Sequence, residues 1–125
     1  MKTPFNRAEG LIIVAGVCRG PRRRQPVRLI VDTGANVTTL KPGLIRMMGY
    51  RSEDIVADGT VMTAGGKREI EVVVIEELSV LGVTRKMMPV VQHRLELEAD
   101  GILGLDFFHD SRLTIDMRKG TVEVD

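Results

Sequence analysis

The apolar residues of this chain fall in short runs rich in Val and Ile, each stopped by Gly, Pro or a charged turn. Runs of that kind, with period-two alternation, specify strands joined by tight turns and leave no room for long helices. The pattern predicts an all-β fold with strands over 11–17, 27–31, 37–40, 60–63, 69–75, 78–81, 85–91, 113–116 and 121–124. Gly65-Gly66 and Arg118-Lys119-Gly120 are the expected hairpin tips, because glycine accepts the positive φ that tight turns demand. Two short helical pieces are expected, 42–48 opened by Pro42 and stopped by Gly49, and 104–109 with Phe107 and Phe108 packing inward. Residues 1–10 have little strand character, and 92–100 reads as a charged loop.

With 125 residues, 43% of them hydrophobic, the chain fits a single domain over 1–125 whose core spans about 11–124. A net charge of +1 argues against nucleic acid and against an acidic membrane surface, since such binders concentrate a large basic excess on one face. The local exception, Arg19, Arg22, Arg23 and Arg24 around Gly20 and Pro21, reads as a solvated hairpin loop. Cys18 stands alone, so no internal disulfide forms, and its position after Leu11, Ile12, Ile13, Val14 and Val17 marks it as a buried thiol. A reducing, cytoplasmic setting is expected. The chain as given carries no apolar leader and no stretch near the ~18 apolar residues of a membrane span, so no membrane partner is expected.

The chemistry is concentrated in Ile30-Val31-Asp32-Thr33-Gly34-Ala35, where a strand runs into a turn bearing a carboxylate, a hydroxyl and a glycine. The tripeptide alone is weak, because roughly one chain in forty of this length would carry it by chance. Its weight comes from a second segment, Asp100-Gly101-Ile102-Leu103-Gly104-Leu105-Asp106-Phe107-Phe108, and from the strand-flanked Val61-Met62-Thr63-Ala64-Gly65-Gly66-Lys67 between them. In that order the three segments resemble the retropepsin-like, single-lobe aspartic peptidases of the retroviral type. The likeness spans about 11–124.

The resemblance implies a closed β-barrel with a flap hairpin and one or two short helices, acting as an aspartic endopeptidase on peptide or protein substrates. It makes Asp32 catalytic, gives Thr33 the task of locking two active-site turns together, and assigns substrate backbone to Gly34, with Ala35 completing the turn. Met62, Thr63, Ala64, Gly65 and Gly66 become the flap, Asn36 a polar contact for substrate, and Val90, Val91 and Ile102 walls of apolar pockets. The reaction uses two close carboxylates that share one proton, one activating water and one protonating the scissile carbonyl. A single Asp-Thr-Gly per chain therefore implies a homodimer, with no cofactor and no metal.

This chain departs from the retroviral pattern at two matched positions. An aspartate and an arginine that pair in the viral enzymes are here Asn36 and Leu105, so both halves of the ion pair are replaced together. The Gly-Leu-Asp-Phe-Phe ending is closer to cellular and bacterial relatives; 121–124 is a candidate for a dimer strand of the retroviral kind, with a different interface as the alternative. Asp100 and Asp106 read as capping or exposed residues rather than as a second catalytic acid. The main rival is a catalytically silent peptide-binding module of the same fold. His93 and His109 lack the spacing of a metal hydrolase, Ser52, Ser79 and Ser111 lack a nucleophile setting, and Gly65-Gly66-Lys67-Arg68 lacks a phosphate-loop pattern.

Overall fold

The computed structural model describes residues 1–125. Ten strands dominate: β1 (Lys2–Pro4), β2 (Ile13–Arg19), β3 (Arg24–Val31), β4 (Thr39–Leu40), β5 (Ile55–Thr63), β6 (Gly66–Val80), β7 (Val83–Gln92), β8 (Gly101–Leu103), β9 (Leu113–Asp116) and β10 (Thr121–Val124). The one α-helix, α1 (Pro42–Met47), starts at a proline whose missing N–H costs nothing there and buries Leu44 and Ile45. No helix is long and apolar enough to cross a membrane.

Seven strands form a sheet in the order β2-β3-β8-β4-β7-β6-β5, and pairing of β2 with β6 closes it on itself. Closure follows from the long hairpin arm of β6, whose 77–80 end meets Gly16 to Arg19. Gly16 is required there, since a Cβ would stand 2.7 Å from the Val80 side chain. Inside the ring, alternate residues of β2, β3, β6 and β7 join Leu40, Met48, Leu103 and Phe107 in a cluster of 21 buried side chains. Outside it, β5 pairs only with the outer half of β6 and stands mostly exposed.

Several elements differ from the sequence expectation. The predicted strands 69–75 and 78–81 are one strand, β6, because the ladder to β7 runs on through Glu77↔Lys86. Leu81 is not a strand residue but half of the Leu81-Gly82 turn, with φ of 56° and 77°. Positive φ at both central residues matches the right-handed twist of the flanking strands. The strand predicted at 37–40 keeps only Thr39 and Leu40, and the helix predicted at 104–109 is a 3₁₀ turn, Leu105–Phe108.

The termini differ most. Lys2–Pro4 is a strand despite its composition, paired with β10, so the smaller sheet reads β1-β10-β9. The candidate dimer strand, β10, lies between β1 and β9 of its own chain, whose outer edges are open. The basic cluster is the solvated β2–β3 hairpin loop, closed by Gly20 N–H donating to the Arg23 carbonyl at 3.1 Å. Cys18 is fully buried on β2, and that burial, helped by nearby Asp100, pushes its thiol up to about 12.

Candidate active site

The chain crosses itself where Asp32 sits. Strand β3 delivers Val31, the chain turns through residues 32–38, and β4 returns on the far side of β8. Thus β8 lies between them, parallel to β3 and antiparallel to β4. Gly101 permits that approach, because any Cβ there would collide with the Thr39 carbonyl. Parallel neighbours Ile30 and Ile102 share a sheet face, and Asp32, two residues beyond Ile30, leaves the sheet on that same face.

The turn is fixed by backbone bonds to the segment following β8. Asp32 N–H donates to the Leu103 carbonyl at 3.1 Å, Leu105 N–H to the Ala35 carbonyl at 2.9 Å, and Asp106 N–H to the Asn36 carbonyl at 3.2 Å. Within the turn, Ala35 N–H reaches back to the Asp32 carbonyl at 3.1 Å. Gly34 N–H donates to Asp32 Oδ1 at 2.9 Å, which orients the carboxylate and leaves Oδ2 without a partner in the chain. A side chain at Gly34 would put its Cβ 3.2 Å from that same Oδ1. Asp32 is half-buried, whereas Thr33, Gly34 and Asn36 are exposed.

A side-chain clamp completes the loop. Asp106 accepts from Thr38 twice, Oδ2 from the backbone N–H at 3.1 Å and Oδ1 from the hydroxyl at 2.8 Å. The fully buried Thr38 hydroxyl in turn accepts Gly104 N–H at 3.1 Å. Since the hydroxyl proton goes to the carboxylate, its lone pair is free for Gly104, and all three groups are satisfied. Asp106 therefore does cap backbone, as its sequence context suggests, but it caps the loop that follows Asp32 rather than its own turn. Thr38 escapes the sequence reading. A threonine between the turn and an apolar strand is the available signal.

The residues assigned to substrate divide into two groups. Met62, Thr63, Ala64, Gly65 and Gly66 form the β5–β6 hairpin tip, with Gly66 at φ 104° and Met62 72% exposed. A cleft of about 600 Å³ runs from Thr63 and Arg68 of that hairpin, past Leu95 and Leu97, to half-buried Ile102. Ile102 therefore connects the hairpin side of the cleft to the sheet face of Asp32. Val90 and Val91 stand apart as a correction. They are 1% and 7% exposed, Val90 within the core cluster and Val91 bonded through its N–H to the Thr38 carbonyl, so they pack the wall behind the loop instead of lining a pocket.

Residues 14–107 match the aspartyl protease family. No curated protein sequence matches the chain. Among solved structures, a retropepsin-like aspartic protease from Rickettsia conorii superposes with a TM-score of 0.75 at 18% identity, covering 99% of this chain and 89% of that one. The retroviral protease-like domain of Ddi1 from Leishmania major superposes with a TM-score of 0.61, also at 18% identity, covering 92% of this chain and 88% of that one. At such identities the likeness carries the fold, which is retropepsin-like, and the family assignment rests on the matched sequence. Because that match takes in the turn, the crossing strands and the clamp, and most of the 125 residues, the chain belongs to the aspartyl protease family.

Proposed function

We propose that the protein is a homodimeric aspartic endopeptidase in which Asp32 from each of two copies forms the catalytic pair. One carboxylate takes a proton from water while the other, protonated, donates to the scissile carbonyl oxygen. The resulting tetrahedral diol then collapses, the amine leaves with a proton, and the two carboxyls again share one. No covalent intermediate forms.

The observation that carries this reading is the Asp32 carboxylate itself, half-buried, oriented through Oδ1 by Gly34 N–H at 2.9 Å, on a turn bonded at several points to the segment after β8. A binding module has no need of an acid held in this manner. Exposed Thr33 offers its hydroxyl to the partner turn, and exposed Gly34 leaves room for substrate backbone. The β5–β6 hairpin acts as the flap, its glycine tip closing over an extended peptide and excluding water. The unpaired Cys18 suits a reducing compartment.

The test is cleavage of a diverse peptide library from acid to neutral pH by wild type and Asp32→Asn, with sedimentation on the same samples. Cleavage should track the dimer and fall by at least about 10³-fold in Asp32→Asn. The mutant should still fold and should dimerise at least as tightly, since the substitution removes repulsion between paired carboxylates. A well-formed dimer that cleaves nothing would instead favour the silent peptide-binding module.

A further inference from the structure

The loop joining β7 to β8 is the wall of two clefts. On one side its Arg94 and Leu95 bound the cleft that runs from Thr63 and Arg68 to Ile102. The same two residues, with Lys41, Arg46 and Met47 at α1, also line a second cleft of about 550 Å³. Neither Asp32 nor the β5–β6 hairpin lines that second space. Because the wall is shared, a peptide lying in the first cleft has only to pass the loop to enter the second.

The second cleft is rich in unpaired cations. Lys41 gives one ammonium proton to the Leu97 carbonyl and keeps two, and exposed Arg46 and Arg94 take part in no ion pair. Its one acid, Asp100, has Oδ2 engaged by Arg28 N–H at 2.7 Å. Arg46 lies back over the first turn of α1, where a Cβ on Gly43 would stand 4.0 Å from the guanidinium, so glycine keeps that side of the cleft open. Between the cations, Met47, 50% exposed, and half-buried Leu95 offer apolar surface. The basic β2–β3 loop, fastened to the other end of α1 by Arg22 N–H to the Met48 carbonyl at 3.0 Å, adds exposed Arg22, Arg23 and Arg24 to the local positive field.

We propose that this second cleft is an exosite for an acidic segment of the substrate, one that carries an apolar side chain among its carboxylates. The inference rests on the peptidase reading and extends it to the substrate's flank. Carboxylates fit the guanidinium forks of Arg46 and Arg94 and the remaining Lys41 protons, while the apolar side chain is seated against Met47 and Leu95. Nucleic acid suits the cleft less, since no aromatic side chain lines it for a base to stack on. Holding one substrate at two places joined by its own chain makes the second contact intramolecular, which raises affinity without touching the chemical step. The exosite therefore selects through KM.

The experiment has a binding arm and a cleavage arm. For binding, fluorescence anisotropy follows a labelled peptide of alternating Glu and Leu on the Asp32→Asn chain, beside a Lys-and-Leu peptide and an oligothymidylate of equal negative charge. The Glu peptide should bind at least about tenfold tighter than the Lys peptide, and the affinity should fall at least about tenfold in Arg46→Glu and severalfold in Met47→Ser. Lys119→Glu, the same charge change at the β9–β10 turn, should leave it unaltered. For cleavage, wild type cuts one library peptide bearing either a Glu-Leu or a Lys-Leu tail. The Glu tail should raise kcat/KM at least about tenfold over the Lys tail, through KM, and Arg46→Glu should bring the two level. Equal binding of both peptides, or equal loss in Arg46→Glu and Lys119→Glu, would overturn the cleft as the binding site. Oligothymidylate bound as tightly and with the same dependence on Arg46 would overturn the peptide assignment. Tails cleaved alike despite Arg46-dependent binding would overturn the exosite and leave the peptidase reading intact. No cleavage of any peptide would overturn that reading and the exosite with it, while Arg46-dependent binding would keep the acidic-peptide site. Melting curves verify folding, and should Arg46→Glu unfold, the neutral Arg46→Gln decides by the same measures.

Discussion

The loop from Asp32 to Thr38 and the hairpin tip from Met62 to Gly66 both join strands through glycine, yet they are held by different kinds of bond. The loop is tied to residues far along the chain: the Asp106 carboxylate reaches Thr38 across 68 positions, and Gly104 reaches the same hydroxyl across 66. At the tip the bonds are local. Thr63 Oγ1 donates to the Gly66 carbonyl at 2.8 Å and accepts Gly65 N–H at 3.2 Å, and no bond crosses to another element there. Opening the loop therefore requires breaking the fold, while the tip can move as a hairpin with its own bonds intact. A catalytic carboxylate needs the first property and a flap needs the second.

The largest effect should come from cutting the loop's clamp. In Asp106→Ala the Thr38 hydroxyl, fully buried, loses its acceptor and the Thr38 N–H loses another. We expect a loss of about 2–3 kcal/mol in chemical denaturation and a fall in kcat of about a hundredfold or more with KM little changed. Asp106→Asn should recover part of both. Its amide oxygen can serve the Thr38 N–H, but its NH₂ meets a hydroxyl that already accepts from Gly104, leaving the hydroxyl proton without an acceptor. Equal loss in Ala and Asn, or loss of stability without loss of kcat, would contradict a positioning role.

This clamp also marks what is legible in the sequence. Asp32, Thr33, Gly34 and the 102–104 segment can be singled out because each is a local pattern of apolar residues ending in a special turn. The partnership of Asp106 and Thr38 cannot, since neither residue is unusual alone and the bond exists only once β8 has entered between β3 and β4. The same reason explains β1. Lys2–Pro4 has little strand propensity of its own and becomes a strand because β10 offers an edge. In β6 the charged Glu76-Glu77 reads as a break, but long-range pairing to β7 and β2, with Arg19 3.3 Å from Glu77, carries the strand through.

Next in size is a pH effect on the sheet wall that delivers the loop. Cys18 faces the core from β2, with its thiol pushed to about 12 chiefly by burial. An unfolded thiol ionises near 8.5, so between the two values the unfolded chain releases a proton that the folded chain keeps. Stability is then full below about pH 8.5 and declines as pH rises, by up to about 1.4 kcal/mol per pH unit. Tyr50, also raised mainly by burial, acts in the same direction at still higher pH. Urea titrations from about pH 8 to about pH 10.5, a range bracketing the unfolded thiol's ionisation, should show this slope in wild type, and Cys18→Ala should flatten it.

At the tip, substitutions should touch activity more than stability. Gly66 sits at φ 104°, and a Cβ there would meet nothing within 4 Å, so Gly66→Ala brings backbone strain without a clash. We expect a cost of about 1 kcal/mol, smaller than that of the clamp, and a fall in kcat/KM larger than the stability change explains. If Gly66→Ala left cleavage unaltered, the hairpin would be an ordinary surface loop rather than a flap.

The smallest change sharpens the same contrast. Met62 is 72% exposed and pairs only with Lys67 on the neighbouring strand, so nothing in the folded chain depends on its apolar side chain. Met62→Ser should leave the unfolding free energy within about 0.5 kcal/mol of wild type, as expected for a surface position. If the tip folds down on substrate, the thioether becomes a contact only in the complex, and the mutant should raise KM severalfold for peptides with apolar flanks while sparing kcat. A matched fall in kcat would mean that the tip contributes to the chemical step, and the division between a fixed loop and a movable hairpin would then have to be redrawn.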